Sequence, residues 1–331
     1  MTTPTEHRPR RRGRLAALIG SGAVVAAVAT VGPCSTPNPV RQACLAPERP
    51  VLVASERDES TRWPHADHQI PGRTFDARGR TWSLPGTSNV VKFYRSRTGV
   101  DACFVGGMIT TDLPIDTPWE TWHDHYAFIS QQPDTRVEGT TFSYVGDAMS
   151  FAHDAQDWEV RNVSVLMAYD DCVQNDGMAT GLIVDSVFAC GSAFVSATTS
   201  NARLNGDDDT VTIENVMVEM VAFENSFNVP RWGQWQHGGF FKWAERTPPA
   251  ETWAVPPRLV IRDSMFRSDT RAVYGSKVAG GPNGLPDESV CERVTLVGDG
   301  WSVAELSSWQ SQCTDLRIGT VEDWNAAMGE R

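Results

Sequence analysis

The sequence predicts an all-β fold: a parallel β-helix, or solenoid, with an N-terminal cap and one long loop insertion. Three observations carry this. Eight six-residue pieces begin with an apolar residue or Cys and end apolar: "FVGGMI" from 104, "VEGTTF" from 137, "VRNVSV" from 160, "IVDSVF" from 183, "IENVMV" from 213, "IRDSMF" from 261, "CERVTL" from 291 and "CTDLRI" from 313. Their third positions are Gly106, Gly139, Asn162, Asp185, Asn215, Asp263, Arg293 and Asp315, which follow one another at 33, 23, 23, 30, 48, 30 and 22 residues. The pieces are rich in Val, Ile, Thr and Phe and alternate at period two, which is strand chemistry rather than helix chemistry.

A strand motif returning at such intervals is one coil of a solenoid. Stacking the coils places equivalent residues in columns about 4.8 Å apart. The first-position column is then Phe104, Val137, Val160, Ile183, Ile213, Ile261, Cys291 and Cys313. The sixth-position column is Ile109, Phe142, Val165, Phe188, Val218, Phe266, Leu296 and Ile318. Both belong to the core, and the third position is where the chain bends, because Gly, Asn and Asp tolerate turns. An antiparallel sandwich would instead show hairpin signals every 8–12 residues and no preserved column.

The flanks are read in chain order. Arg8, Arg10, Arg11, Arg12 and Arg14 precede an uncharged apolar run, Leu15 to Val31, that contains the small-residue site Ala27-Val28-Ala29. That order reads as an export signal, residues 1–29, so the mature protein is expected to be secreted, with no membrane insertion once the signal is cleaved. Residues 30–87 are poor in apolar periodicity and read as a linker and N-terminal cap; 88–331 is the β-helix domain, with the insertion at 228–257. "VEDWNAAM", 321–328, reads as a short helix covering the other end.

The net charge is -12 and the only lysines are Lys92, Lys242 and Lys277, so a nucleic-acid partner is excluded. All seven cysteines follow the signal, and no C-x-x-C pair suggests zinc. Cys291 and Cys313 share a column on successive coils, a spacing that suits a disulfide as well as it suits two core thiols. Cys172 with Cys190 is a second candidate pair. No apolar stripe for a trimer stands out, and a monomer is expected.

The columns resemble those of the right-handed parallel β-helix proteins, the pectate-lyase-like superfamily, over roughly residues 88–320. The resemblance implies three parallel sheets wound into a prism, with a ligand groove along one outer face and a polysaccharide as the partner.

Counting eight or nine residues on from each third position leads to Asp147, to Asp170 and Asp171, to Glu224 and to Arg271, a polar stripe parallel to the solenoid axis. Two chemistries fit. In the first, Asp147, Asp170, Asp171 and Asn175 hold Ca²⁺, whose preference is for hard oxygen ligands. The ion neutralises a uronate, and Arg271, with Asp171 and Glu224, serves a lyase reaction. In the second, carboxylates on neighbouring coils act as acid and base for glycoside hydrolysis. "YDDC", 169–172, resembles the Asp pair of the polygalacturonase family. Gln236 precedes His237 where that family has Gly, and Arg271 and Lys277 do not make its Arg-x-Lys, so no catalytic role is carried over. "YDDCVQND" is equally the composition of a polar turn in a non-catalytic binding or structural solenoid.

"RWGQWQHGGFFKW", 231–243, interleaves Trp232, Trp235 and Trp243 with His237 and Lys242. Flat aromatic faces beside hydrogen-bonding groups suit a sugar ring, so Trp232, Trp235, His237 and Lys242 are candidate substrate-binding residues. The same mixture also packs a loop, and Trp243 is read that way. His123 and His125 lack a third ligand at a useful spacing, and His153 reads as a polar corner residue. No G-x-S-x-G, Walker or G-x-G-x-x-G motif is present.

Overall fold

Successive coils pair in parallel at every step the columns predict. This is a computed structural model of the chain, and it describes residues 44–54, 72–84, 90–93, 101–111, 113–114, 117, 119–122, 125–152, 154–197, 204–224, 235–243, 246, 255–276 and 280–331. The strands form a 17-stranded sheet and a separate six-stranded sheet, with one small antiparallel pair. The first-position column runs from Phe104 to Cys313 through seven consecutive register pairs. The sixth-position column runs likewise from Ile109 to Ile318. The chain is thus an all-β solenoid of mostly parallel strands in long sheets.

The bends are made by backbone conformation. Every third-position residue has positive φ, from 49° at Asp263 to 71° at Gly106. Gly, Asn and Asp reach this left-handed region at least cost, which is why they recur there. Side chains then bond along the column: Asn215 Nδ2 donates to Asp185 Oδ1, and the Arg293 guanidinium grips both oxygens of Asp263.

The repeat extends further toward the N-terminus than the boundary at 88. Arg73–Asp76 pairs with Ala102–Val105, and Thr81–Leu84 with Met108–Thr111, which puts Phe75 and Trp82 in the two core columns. Val51–Val53 adds one more parallel strand. The span read as the insertion also holds a sheet strand, Gly239–Trp243, paired with Ala193–Ala197. Trp243 is buried in the core, as a packing role requires.

Two helices flank the last strand, Cys313–Gly319. Helix α1, Val303–Gln312, has a capping box between Ser302 and Glu305 and buries Trp309 in the main core. Helix α2, Val321–Gly329, forms where the sequence suggests a helix, but its Trp324 packs on Met217 and Val297, and Arg331 bonds to Asn215 and Ser186. It therefore lies back along earlier coils. No helix of the described residues is long and apolar enough to cross a membrane.

Both candidate cysteine pairs form disulfides, and a third joins Cys44 to Cys103. Cys172–Cys190 ties the strand that starts at Asp171 to the strand Val187–Cys190 of the large sheet, across the core. Its loop spans 18 residues of sequence. Replacing both cysteines with Ala is expected to cost about 3 kcal/mol, the loop-closure value for that length. A urea midpoint unchanged by the replacement would contradict this role.

Candidate functional site

The six-stranded sheet is built from Val91–Phe93, Tyr126–Ser130, Asp147–Phe151, Asp171–Gln174, Ala193–Ala197 and Gly239–Trp243. Its register aligns Ser150, Gln174, Ser196 and Lys242 in one column. Three residues earlier, Met149 facing Val173 sets Asp147 in line with Asp171, and the line continues through Ala193 to Gly239. Asp170 stands just before its strand, its N–H held by the Gly146 carbonyl and its own carbonyl accepting from Ser192.

Three carboxylates from two successive coils therefore converge. One oxygen from each of Asp147, Asp170 and Asp171 lies within 4.8 Å of the others, and all three residues are buried. Asp147 Oδ1 accepts from the Asp171 backbone N–H at 3.0 Å and from Gln174 Nε2 at 2.8 Å. Lys242 Nζ, reaching across from two coils further on, forms an ion pair with Asp171 Oδ2 at 3.2 Å. Its ammonium also lies over the Tyr274 ring, and the Tyr274 hydroxyl meets the Ser192 hydroxyl. Asp147 Oδ2, Asp170 Oδ1 and Asp171 Oδ1 are buried without a hydrogen-bond partner. Gln174 and Lys242 are only half-buried and form the wet edge of the cluster.

Burial and mutual repulsion set the protonation. Burial, then the charges of Asp170 and Asp171, push the Asp147 carboxyl well above the usual range against the Asp171 N–H and Lys242. Burial, then Asp171, push Asp170 up to about 7, against Lys242 and the Ser192 hydroxyl. At Lys242 burial opposes the charge, but Asp171, Tyr274, Asp170 and Asp147 outweigh it and raise the ammonium above its usual value. The site thus holds a fixed cation, an ion-paired carboxylate and a carboxyl that keeps its proton to near neutrality.

The other sequence candidates fall elsewhere. Asn175 is a core residue: its Oδ1 accepts from Trp158 Nε1 and the Ala179 N–H, and its Nδ2 donates to the Ala179 carbonyl. No ligand capacity is directed at the acids, so it leaves the ligand set. His237 is fully buried beside the Gly238 and Thr270 carbonyls and Ser268, and burial lowers its pKa. Both of its ring nitrogens are engaged within the coil. Arg271 is exposed and forms no ion pair with the acids among the described residues. Glu224 pairs its backbone with Trp235 in the short antiparallel hairpin, whose Phe223 packs edge-on against Tyr169, the neighbour of Asp170. Trp235 is 64% exposed there. Trp232, His123, His153 and Lys277 lie outside the described residues.

Coil length explains the misplacements. The eight- or nine-residue count holds for Asp147, Asp171 and Ala193, but the chain leaves the coil after 221, and the place expected for Glu224 goes to Gly239. The bridge between His237 and Ala272 then sets Tyr274, not Arg271, in line with Gly239. Close approach at this point needs glycine: a Cβ on Gly239 would stand 1.9 Å from the Pro282 carbonyl oxygen. Ser192 sits one residue before the counted Ala193, so a wider count would have found it. Gln174 and the acid-pairing role of Lys242 follow from the column offset alone, and nothing in the sequence marks Tyr274.

No family model, characterised protein or solved structure matches the chain.

Proposed function

We propose that this is an exported, carbohydrate-active β-helix that cleaves glycosidic bonds, with Asp170 as general acid and the ion-paired Asp171 as its carboxylate partner. The observation that carries the reading is the pairing of unlike states in one place: Asp170 keeps its proton up to about 7 beside an Asp171 bound to Lys242. A carboxyl that keeps its proton beside a carboxylate held in an ion pair supplies an acid and its partner in one site. Asp170 donates its proton to the leaving glycosidic oxygen as Asp171, within 4.8 Å of it, forms a bond to the sugar carbon; water then displaces Asp171 and gives its proton back to Asp170. Lys242 is the ion-pair partner of Asp171, and Gln174 and the Asp171 N–H hold Asp147 beside them. The exposed Trp235 offers a platform for a sugar ring. Three disulfides suit an oxidising compartment.

The calcium-assisted lyase is a second reading, favoured by the three buried oxygens that lack partners. Asp147, Asp170 and Asp171 would hold the ion. Their hard oxygens suit Ca²⁺, but three fall short of its usual six to eight ligands, and Lys242 already faces Asp171. Arg271, the expected lyase base, is not at the acids.

The test is release of reducing ends from a panel of neutral and acidic polysaccharides, beside absorbance for unsaturated uronates, with and without Ca²⁺. Reducing ends without unsaturation, lowered about 10²–10⁴-fold in Asp171→Asn, are expected. Calcium-dependent unsaturated product would establish the lyase instead. No product on any polymer would return the cluster to a structural role.

A further inference from the structure

Asp170 is 2% exposed, yet as the acid it must be held in one orientation and must stand as a carboxylate between the two steps. Two hydroxyls beside the acidic cluster meet both needs. Ser192 is fully buried and clasps Asp170 twice: its backbone N–H donates to the Asp170 carbonyl at 3.0 Å, and its hydroxyl bonds to the Asp170 carboxyl. The same hydroxyl meets that of Tyr274. Asp170 Oδ1 has no hydrogen-bond partner, so the bond from Ser192 falls on the other oxygen and leaves Oδ1 for the substrate.

The fold makes this contact possible by removing side chains. Along the line Asp147, Asp171, Ala193, Gly239 and Tyr274 the side chains shrink from carboxyl to methyl to hydrogen before the ring. Tyr274 therefore reaches back over the coil of Gly239 to Ser192. The coils touch closely there: a Cβ on Gly238 would stand 1.7 Å from the Ser192 carbonyl oxygen, and one on Gly275 2.8 Å from the Gly239 Cα. Lys242 Nζ, 5.8 Å from the centre of the Tyr274 ring, flanks the ring where it pairs with Asp171.

We propose that Ser192 and Tyr274 are positioning residues for the general acid: a chain of hydroxyls, from Tyr274 through Ser192 to Asp170, fixes the carboxyl and steadies the carboxylate that it becomes. This rests on the glycosidase reading. Chemistry sets the direction of the chain. Ser192 has a single proton and a carboxylate only accepts, so Ser192 donates to Asp170 and accepts from the Tyr274 O–H. Each bond in such a chain polarises the next, and the charge left on Asp170 when its proton departs strengthens both. The hydroxyls keep their own protons throughout.

The test uses Ser192→Ala and Tyr274→Phe, which each remove one oxygen, with melting curves to check folding. On the polysaccharide that yields reducing ends, kcat/KM is expected to fall about 10–100-fold in Ser192→Ala and about 2–10-fold in Tyr274→Phe, the worth of a hydrogen bond to a charged and to a neutral group. On a dinitrophenyl glycoside of the same sugar, whose leaving group needs no proton, kcat/KM should stay at the wild-type value. A merely structural role would not produce that contrast. Equal losses on both substrates, or no loss on either, would overturn the proposal and leave Asp170 as the acid. A second measurement needs no substrate: Tyr274→Phe should lower the urea midpoint less in Asp170→Ala than in the wild type. Equal shifts would show that no chain joins the two residues. A wild type that cleaves nothing would remove the glycosidase reading and the positioning role with it, whatever the urea midpoints show.

Discussion

Asp170→Asn is expected to make the protein more stable at pH 8 while lowering hydrolysis about 10²–10⁴-fold. Asp170 is 2% exposed and shares its site with two other carboxyls. Its folded pKa of about 7 lies above the ordinary 3.8, so between those values the folded state binds the proton that the unfolded chain has released. The group's contribution is fully present below about pH 4 and is lost as the pH rises through 7. Stability from this source falls by up to about 1.4 kcal/mol per pH unit in that window. Burial and the neighbouring acids place Asp147 on the same side, so the two act together. An amide at 170 carries no charge and removes its share of the slope. Urea denaturation at pH 5 and pH 8 reads this directly: the wild type should lose stability between the two, and Asp170→Asn should lose less. A wild type more stable at pH 8 would mean that the cluster is compensated by something bound there.

Lys242→Met is expected to cost about 3–5 kcal/mol at pH 8, the usual penalty for leaving a buried charge without its partner. Asp171 is 1% exposed at the side chain, and Lys242 is the cation paired with it. The penalty should shrink at pH 5, where protons on Asp147 and Asp170 relieve the repulsion. Asp171→Leu placed on top of Lys242→Met should recover part of the loss at pH 8, because removing both members of a buried pair is far cheaper than removing one. Additive losses in that double-mutant cycle would show that the two groups do not interact.

The two predictions rest on parts of the molecule that were unequally visible in the chain. The core columns were legible because a solenoid repeats local information. Each coil must turn where φ is positive, and Asn162, Asp185, Asn215 and Asp263 are residues that turn cheaply. Each coil must also bury its first and sixth residues, and that alternation is written in every piece. The pair Cys291–Cys313 was a candidate for the same reason and Cys172–Cys190 because the two lie on neighbouring coils, though at different offsets, whereas Cys44–Cys103 was missed because its first half lies where the apolar pattern fades. Asp147, Asp170 and Asp171 could be brought together by counting, since the coils between them are of nearly equal length.

The sequence by itself therefore determined the solenoid, its columns, its corners and the acidic core of the candidate site. Only the tertiary structure decided what those acids face. Hydrogen bonds between strands, not residue counts, set the register once a coil carries an excursion, so Gly239 takes the place counted for Glu224 and Tyr274 the place counted for Arg271. Lys242 meets Asp171 from two coils away, and Ser192 meets Tyr274 across 82 residues. Asn175 turned inward, because strand faces depend on where the strand begins. The placement of the last helix was hidden too: Trp324 packs on Met217 and Val297, along the side of the solenoid, which no residue count gives.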